Sequence, residues 1–428
     1  MKTIGTLIAI LALVAATAVY AEDSGLSVLS FGAKPDGVTD CTKAFQAALD
    51  AASATGDLVR VPAGKYRLDG TLTVPEGVTL GGVWAGPHSS QLDKGSALLA
   101  YAGRDKEDST PFINLNASST IKGVTIFYPE QKPKDIHPYP WTIQGRGQHF
   151  NVIDVTIVNA YNAVDCGTYR SLGHHLRNVL ISAMRRGVFI DQASDIGRIE
   201  NVHIHNVYWW GVSPPYGLAK DEEKAIEKYA LENLEGFIIG RCDWEYMTNC
   251  FVIWAKIGFH FVETKDSEGK SRGLANILVT QSGADCGPVA VKVDRVQNHA
   301  GVAFENCQFM TGIEIGPENK GPVKFSNCGF WGVSGTGSQL ISDGDCTVTM
   351  VGCHFSPWNT KKPMVIVNNG SLLMSSCDFG EVDNLEAHII LGKELKSASI
   401  LGNRFRKEGI KVVNNSTGEV ELVGNVKQ

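Results

Sequence analysis

A short pattern returns along most of the 428-residue chain: a small residue or Asn, a column residue, a polar residue, then Ile or Phe. It reads KGVTI, IDVTI, RNVLI, ENVHI, ENCQF, SNCGF, VGCHF, SSCDF and LGNRF. The column residues are Val124, Val155, Val179, Val202, Cys307, Cys328, Cys353, Cys377 and Asn403. From Val155 to Val202 they step by 24 and 23, and from Cys307 to Asn403 by 21, 25, 24 and 26. Asn425 lies 22 further on. A chain that repeats itself at such a period stacks its repeats, because no single repeat can bury its own apolar face.

Two residues past each column residue runs a second file: Ile126, Ile157, Ile181 and Ile204, then Phe309, Phe330, Phe355, Phe379 and Phe405. Side chains alternate across a strand, so positions i and i+2 share a face and the residue between them points away. The column and the Ile/Phe file therefore face inward. The intervening residues, among them Thr125, Thr156, His203, Gln308, His354, Asp378 and Arg404, are mostly polar and face out. A leucine-rich repeat of similar period needs a recurring Leu-x-x-Leu-x-Leu signature, which is absent. The pattern predicts an all-β fold, a right-handed parallel β-helix with one long solenoid core. On that fold Cys307, Cys328, Cys353 and Cys377 form a buried thiol ladder. Their sulfurs lie along a line, which does not suit tetrahedral metal binding. Cys242 with Cys250, or Cys346 with Cys353, is left open as a local disulfide.

The rhythm breaks twice. Between Val202 and Ile277 the spacing is 75 and includes LAKDEEKAIEKYALENL, whose Ala225, Ile226, Tyr229, Ala230 and Leu234 form a helical stripe. This predicts a helix inserted near 218–234. The segment from Gly86 to Ser119 reads as loops, where binding function tends to reside. The first 21 residues, MKTIGTLIAILALVAATAVYA, read as a secretory leader rather than a membrane span, which places the mature protein in the secreted or periplasmic space. The division expected is a leader at 1–21, a cap and first coils at 22–80, and the β-helix at 81–428. A formal charge of -6 and no basic run give no footprint for nucleic acid.

The stretch LSVLSFGAKPDGVTDCTKAFQAALDAASATGDLVRVPAGKYRL resembles the opening of the pectate-lyase superfamily of β-helix proteins, with its pectate lyase family 3 and glycoside hydrolase family 28 and 55 members. The resemblance implies a strand, a turn, a helix over about 40–54 capped by Thr39 or Asp40, and a VPAG strand that closes the end of the helix. It implies a carbohydrate-directed protein without fixing a reaction, since this scaffold hosts lyases, hydrolases, epimerases and tailspikes. The polygalacturonase-like members carry an Asp-Asp pair and a Gly-His-Gly one coil later. The matching positions here hold Asn162 and Ala163, then Arg185, Arg186 and Gly187. The clustered calcium-binding Asp residues of the pectate lyases are not evident either.

Chemistry-bearing residues gather in the central coils. NAVDCG, RGVFID and WGVSPP align with Ala163, Gly187 and Gly211 stepping by 24. That register sets Asp165 and Asp191 on one face with Cα atoms roughly 8 Å apart. Carboxyl groups about 6.5 to 9.5 Å apart suit an inverting glycosidase. Their plainer role is to bond turn backbone. Asp243 and Glu245, in a turn beside the inserted helix, are rival acid/base candidates. Arg185, Arg186, His205, Tyr208, Trp209, Trp210, Trp244 and Trp141 are candidates for sugar binding, because a pyranose packs its apolar face on an aromatic plane while its hydroxyls bond charged groups. His203 and His205 face outward by alternation and are further candidates for a base or metal ligand.

The expected function is a glycoside hydrolase acting on a plant, algal or bacterial polysaccharide through two carboxylates, with no cofactor. A lyase acting on a uronic-acid polymer would instead use Arg185 or Arg186 with His205, and admits calcium. The alternative from a different class is a glycan-binding or tailspike-like surface protein without turnover.

Overall fold

The computed structural model describes residues 26–86, 92–332, 337–356, 361–380, 385–406 and 409–427; the segment 1–21, expected to be a leader, lies outside them. Within these residues 36 strands join in one continuous ladder, and a small antiparallel hairpin, Thr264–Lys265 with Ser271–Gly273, stands apart. Away from the two ends of the ladder, strands pair in parallel with the coil before and the coil after. Thus His175–Ile190 pairs with Asn151–Cys166 on one side and with Arg198–Ile204 and Glu235–Ile239 on the other. The molecule is a parallel β-helix.

The inward files follow the pattern. Val155 is level with Val179 and Val179 with Val202. Phe309, Phe330, Phe355, Phe379 and Phe405 are level coil after coil. The last four rings lie face to face, with centroids 4.9, 4.5 and 4.6 Å apart. The residue before each column position is a corner. Asp154, Asn178, Asn201, Asn249, Asn306 and Asn327 there all have φ between 52° and 54°. Left-handed backbone is costly for most L residues and cheap for Asn, Asp and Gly, which is why the pattern carries a short residue at this place. Neighbouring corners also bond side chain to side chain: Asn178 Nδ2 donates to Asp154 at 2.8 Å and Asn201 Nδ2 to Asn178 at 2.9 Å.

The 75-residue break is filled differently from the sequence alignment. Phe251 is level with Gly283 and Gly283 with Gln308, so the preceding Cys250 and Ser282 continue the column between Val202 and Cys307. Ser282 Oγ accepts from the Cys250 amide at 3.0 Å and donates to Thr280 O at 2.7 Å. All ten cysteines are free, so neither suggested disulfide forms. Cys250 and Cys353 sit in the column and bond the carbonyls of Thr248 and Val351 at 3.4 and 3.6 Å. Burial pushes the Cys250 thiol up to about 12. The outward file is not uniformly wet, since Thr156 is covered and accepts a bond from Trp84 Nε1 at 3.1 Å.

The helix Thr42–Ala52 covers the first coils with Phe45, Ala48, Leu49 and Ala52, which recur at helical spacing; Phe45 meets Tyr66 edge-on at 5.3 Å. Its N-cap is Cys41, one residue later than expected. Asp40 still serves the first turn by accepting from the Thr42 amide at 3.0 Å. At the other end no helix covers the final described coil, and Leu422, Val423 and Val426 are exposed. The inserted helix spans Lys220–Asn233 and buries Ile226 and Ala230. Asp221, Glu222 and Glu223 in its first turn oppose the helix dipole favourably. Among the described residues no helix is long and apolar enough to cross a membrane.

Candidate active-site cleft

The inserted helix delivers the chain into Glu235–Ile239, which pairs with His175–Ile190 below and Ile257–Phe261 above. This builds one wall of six coils. Val164, Val188, Phe237, Phe259 and Val291 form its inward row. On the outer surface Gln144, Asp165, Phe189, Ile238, His260 and Lys292 are level with one another. Trp141, Asn162, Arg186 and Glu235 make a second outer row. The third partner of Ala163 and Gly187 is thus Gly236, not Gly211, because the inserted helix displaces the expected step.

A cleft of about 400 Å³ opens over this wall, lined by Trp141, Arg185, Arg186, Phe189, Glu235 and Thr264 among others. The Trp141 indole stacks parallel to Phe189 at 6.3 Å, and the Arg186 guanidinium lies 5.7 Å from the indole centroid. Glu107 pairs with Arg185 and stands 3.7 Å from Arg186; Asn162 Nδ2 holds its other side at 3.2 Å. Both guanidiniums border the cleft, with Glu107 behind them and Glu235 level with Arg186 on the next coil.

Level with Arg186 on the next coil, Glu235 bonds His260 Nδ1 at 2.9 Å, and His260 Nε2 bonds Asp294 at 2.8 Å. The bond from His260 holds the Glu235 carboxyl below its ordinary range, although burial opposes this. The bond from the other ring nitrogen, Nε2, lowers Asp294 in the same way. Burial disfavours a charged His260, but its bonds to Asp294 and Glu235 prevail and raise it above the ordinary imidazole value. The cleft therefore contains an ionised carboxylate, two arginines and an aromatic platform.

Of the twelve site residues expected from the sequence, the cleft brings together Trp141, Arg185 and Arg186. Asp165, expected on an open wall, is fully buried. It accepts from the amides of Gly167 and Thr168 at 2.8 and 2.9 Å and from Gln144 at 2.7 Å, so it ties down the turn that follows its strand. Asp191 is also fully buried, accepting from the Arg241 amide at 2.7 Å, Thr264 Oγ1 at 2.8 Å and Arg272 at 3.2 Å. A Cβ on Gly240 would stand 2.6 Å from that carboxylate, which is why the next coil passes with a glycine. Glu245 is sealed against His174 Nε2 at 3.0 Å, and the other ring nitrogen, Nδ1, lies 3.2 Å from Ser171 Oγ.

Asp243 is partly exposed outside the cleft, paired with Arg241 at 2.5 Å and bonded by Gln297 at 2.7 Å. Trp209 is a core residue, 1% exposed, and Tyr208 is buried beside His203, with 2.7 Å between its hydroxyl and Nδ1. Neither offers the sugar-binding surface expected of it. His205 and Trp210 form a separate aromatic group with Trp254, at 5.0 and 4.9 Å. Trp244 is 58% exposed at a bulge with φ 65°, away from the cleft lining. The residues missed were Glu107, Glu235, His260 and Asp294. The signal for Glu235 was its place just before GFIIG, but the inserted helix hides its alignment with Arg186. Among the described residues no three His, Cys, Asp or Glu side chains gather to hold a metal ion.

Residues 25–207 match a family model described as rhamnogalacturonase A/epimerase, pectate lyase-like. No curated protein sequence matches the chain. Among solved structures it is similar to the A-module of the Azotobacter vinelandii mannuronan C-5 epimerase AlgE4, at 15% identity and TM-score 0.50, over 94% of this chain and 97% of that one. It is also similar to an N-terminal fragment of bacteriophage phi29 gene product 12, at 12% identity and TM-score 0.58, over 99% and 74%. A third is the tailspike of Escherichia coli bacteriophage HK620 in complex with a hexasaccharide, at 13% identity and TM-score 0.54, over 90% and 71%. At these identities the likeness to the solved structures is one of fold, the parallel β-helix.

Proposed function

We propose that this protein, acting outside the cytoplasm as its leader-like segment implies, binds a uronic-acid polysaccharide in the cleft and cleaves it by β-elimination. The observation that carries this reading is the pair Arg185 and Arg186 beside Trp141, with the carboxylate of Glu235 next to Arg186 in the cleft lining. A pyranose packs on the indole while its carboxylate meets the guanidiniums, whose charge makes the C5 proton more acidic. Glu235 takes that proton. The C5–H electron pair becomes the C4=C5 double bond, the C4–O bond breaks, and the leaving oxygen is protonated by solvent. Proton removal at C5 is also where the action named for the mannuronan C-5 epimerase would begin, which fits the shared architecture.

Hydrolysis is the second reading, favoured by Glu107 and Glu235 flanking the same arginine pair as two carboxylates. Its earlier candidates Asp165, Asp191 and Glu245 fit it poorly because they are sealed from any substrate. Incubation of the purified protein with polygalacturonate and with alginate separates the readings. Elimination yields near-ultraviolet absorbance from the unsaturated uronide, and Glu235→Gln lowers the rate by about 10²- to 10⁴-fold while retaining binding. New reducing ends without absorbance would replace elimination by hydrolysis. Saturable binding without either product would make the protein a non-catalytic glycan binder.

A further inference from the structure

We propose that His260 is a positioning residue for Glu235: clamped between Glu235 and Asp294, it keeps that carboxylate ionised, aims it into the cleft and sets how readily it takes a proton. The inference rests on the reading of the cleft given above. His260 stands on the strand Ile257–Phe261, level with Ile238 on the coil below and with Lys292 on the coil above. Its ring is only 10% exposed, and each nitrogen points at a carboxylate oxygen, at 2.9 and 2.8 Å. An ionised carboxylate can only accept, whereas a neutral imidazole has one donor and one lone pair. Satisfying both partners therefore requires the doubly protonated ring.

The groups around the clamp favour the same state. Glu235 also feels Lys256 and Arg186, and Asp294 is paired with Lys292 at 3.4 Å. Two carboxylates and one imidazolium, bordered by these three cations, leave Glu235 a weak base in a fixed orientation. When His260 loses its proton one of the two links must break, and the proton affinity of Glu235 rises. A histidine placed only to fill the wall would have no such effect on its neighbour.

Titration of the full chain by NMR, following the Glu235 carboxyl and the His260 ring, tests this. His260 is expected to titrate above 6.5, its ordinary value, and Glu235 below 4.5. In His260→Gln the Glu235 midpoint should move up by about 1 pH unit or more, as removal of a bonded cation implies. Asp294→Asn, which keeps the ring, should lower the His260 midpoint and carries the test if the first variant does not fold. An unchanged Glu235 midpoint in His260→Gln, or a His260 midpoint at or below 6.5 in the native chain, would overturn the proposal. Addition of oligogalacturonate should shift both signals. Intact coupling with no response to oligogalacturonate would retain the clamp and overturn the uronate reading instead.

Discussion

The coils from Val302 to Phe405 and those from Trp141 to Asp294 share one ladder but are built by different rules. In the C-terminal coils like stacks on like, Cys on Cys and Phe on Phe, and the corner residues change only among Asn, Gly and Ser. In the central coils the strands lengthen, with Asn151–Cys166 and His175–Ile190 each running 16 residues, and a helix interrupts the stack. There Asp165, Asp191, His174 and Glu245 are fully buried, each with its own polar partners. Repetition alone suffices to hold a coil. Among the described residues buried carboxylates appear only in the central coils, whereas the buried polar groups of the C-terminal coils, such as Asn319, Ser342 and Asn403, carry no acid.

The sharpest way to break this contrast is Phe355→Ala, which removes a ring stacked between Phe330 and Phe379. It should cost about 3–5 kcal/mol in denaturant unfolding, with polygalacturonate binding intact once folded. Equal loss of binding would mean that the two regions are not separable. Asp191→Asn comes next. It swaps one acceptor oxygen for an amide that faces the donors Arg241 N, Thr264 Oγ1 and Arg272, at about 1–3 kcal/mol for each group left unmatched. Thr264 lines the cleft, so affinity should fall as well. A variant as stable as the native chain would show that the buried carboxylate does not hold this wall.

A pH scan of stability gives a smaller effect confined to the centre. His260, raised, contributes stability below its ordinary 6.5 that fades as pH climbs through its folded value. Glu235 and Asp294, lowered, contribute above 4.5 and 3.8 and fade as pH falls through theirs. All three contributions coexist between 4.5 and 6.5, and His260→Gln should flatten this plateau while Phe355→Ala leaves its shape unchanged. The mildest test is Asn306→Ala at a corner with φ 52°, expected to cost about 1–2 kcal/mol where Asn306→Gly costs little. Equal unfolding midpoints for the two would remove the backbone explanation of the Asn file.

The C-terminal coils were legible in the amino-acid order because their information is local: column, polar residue, Phe, and the same again some two dozen residues later. Arg185, Arg186 and Trp141 were legible too, since they precede the interruption. Glu235 was not, because it lies 49 residues after Arg186, with the helix Lys220–Asn233 between them. His260 and Asp294 inherit that lost count. Nor does alternation reveal that Asp165 and Asp191 are covered. Asp165 leaves the outer surface of its strand and Asp191 follows the end of the next one, but the covering comes from turns such as Gly167–Thr168 and from Arg241, whose paths no periodicity specifies.

The left-handed corners described above have a bearing on how such a molecule can change length. Because Asn306, Asn327, Gly352, Ser376 and Gly402 bend the backbone alike, each C-terminal rung ends pointing the same way as the one beneath it. Excising the span from one corner to the next presents the following rung with an equivalent landing surface. The tail is in that sense interchangeable stock, whereas the Trp141–Asp294 section is bespoke: there every rung has a neighbour that only it fits.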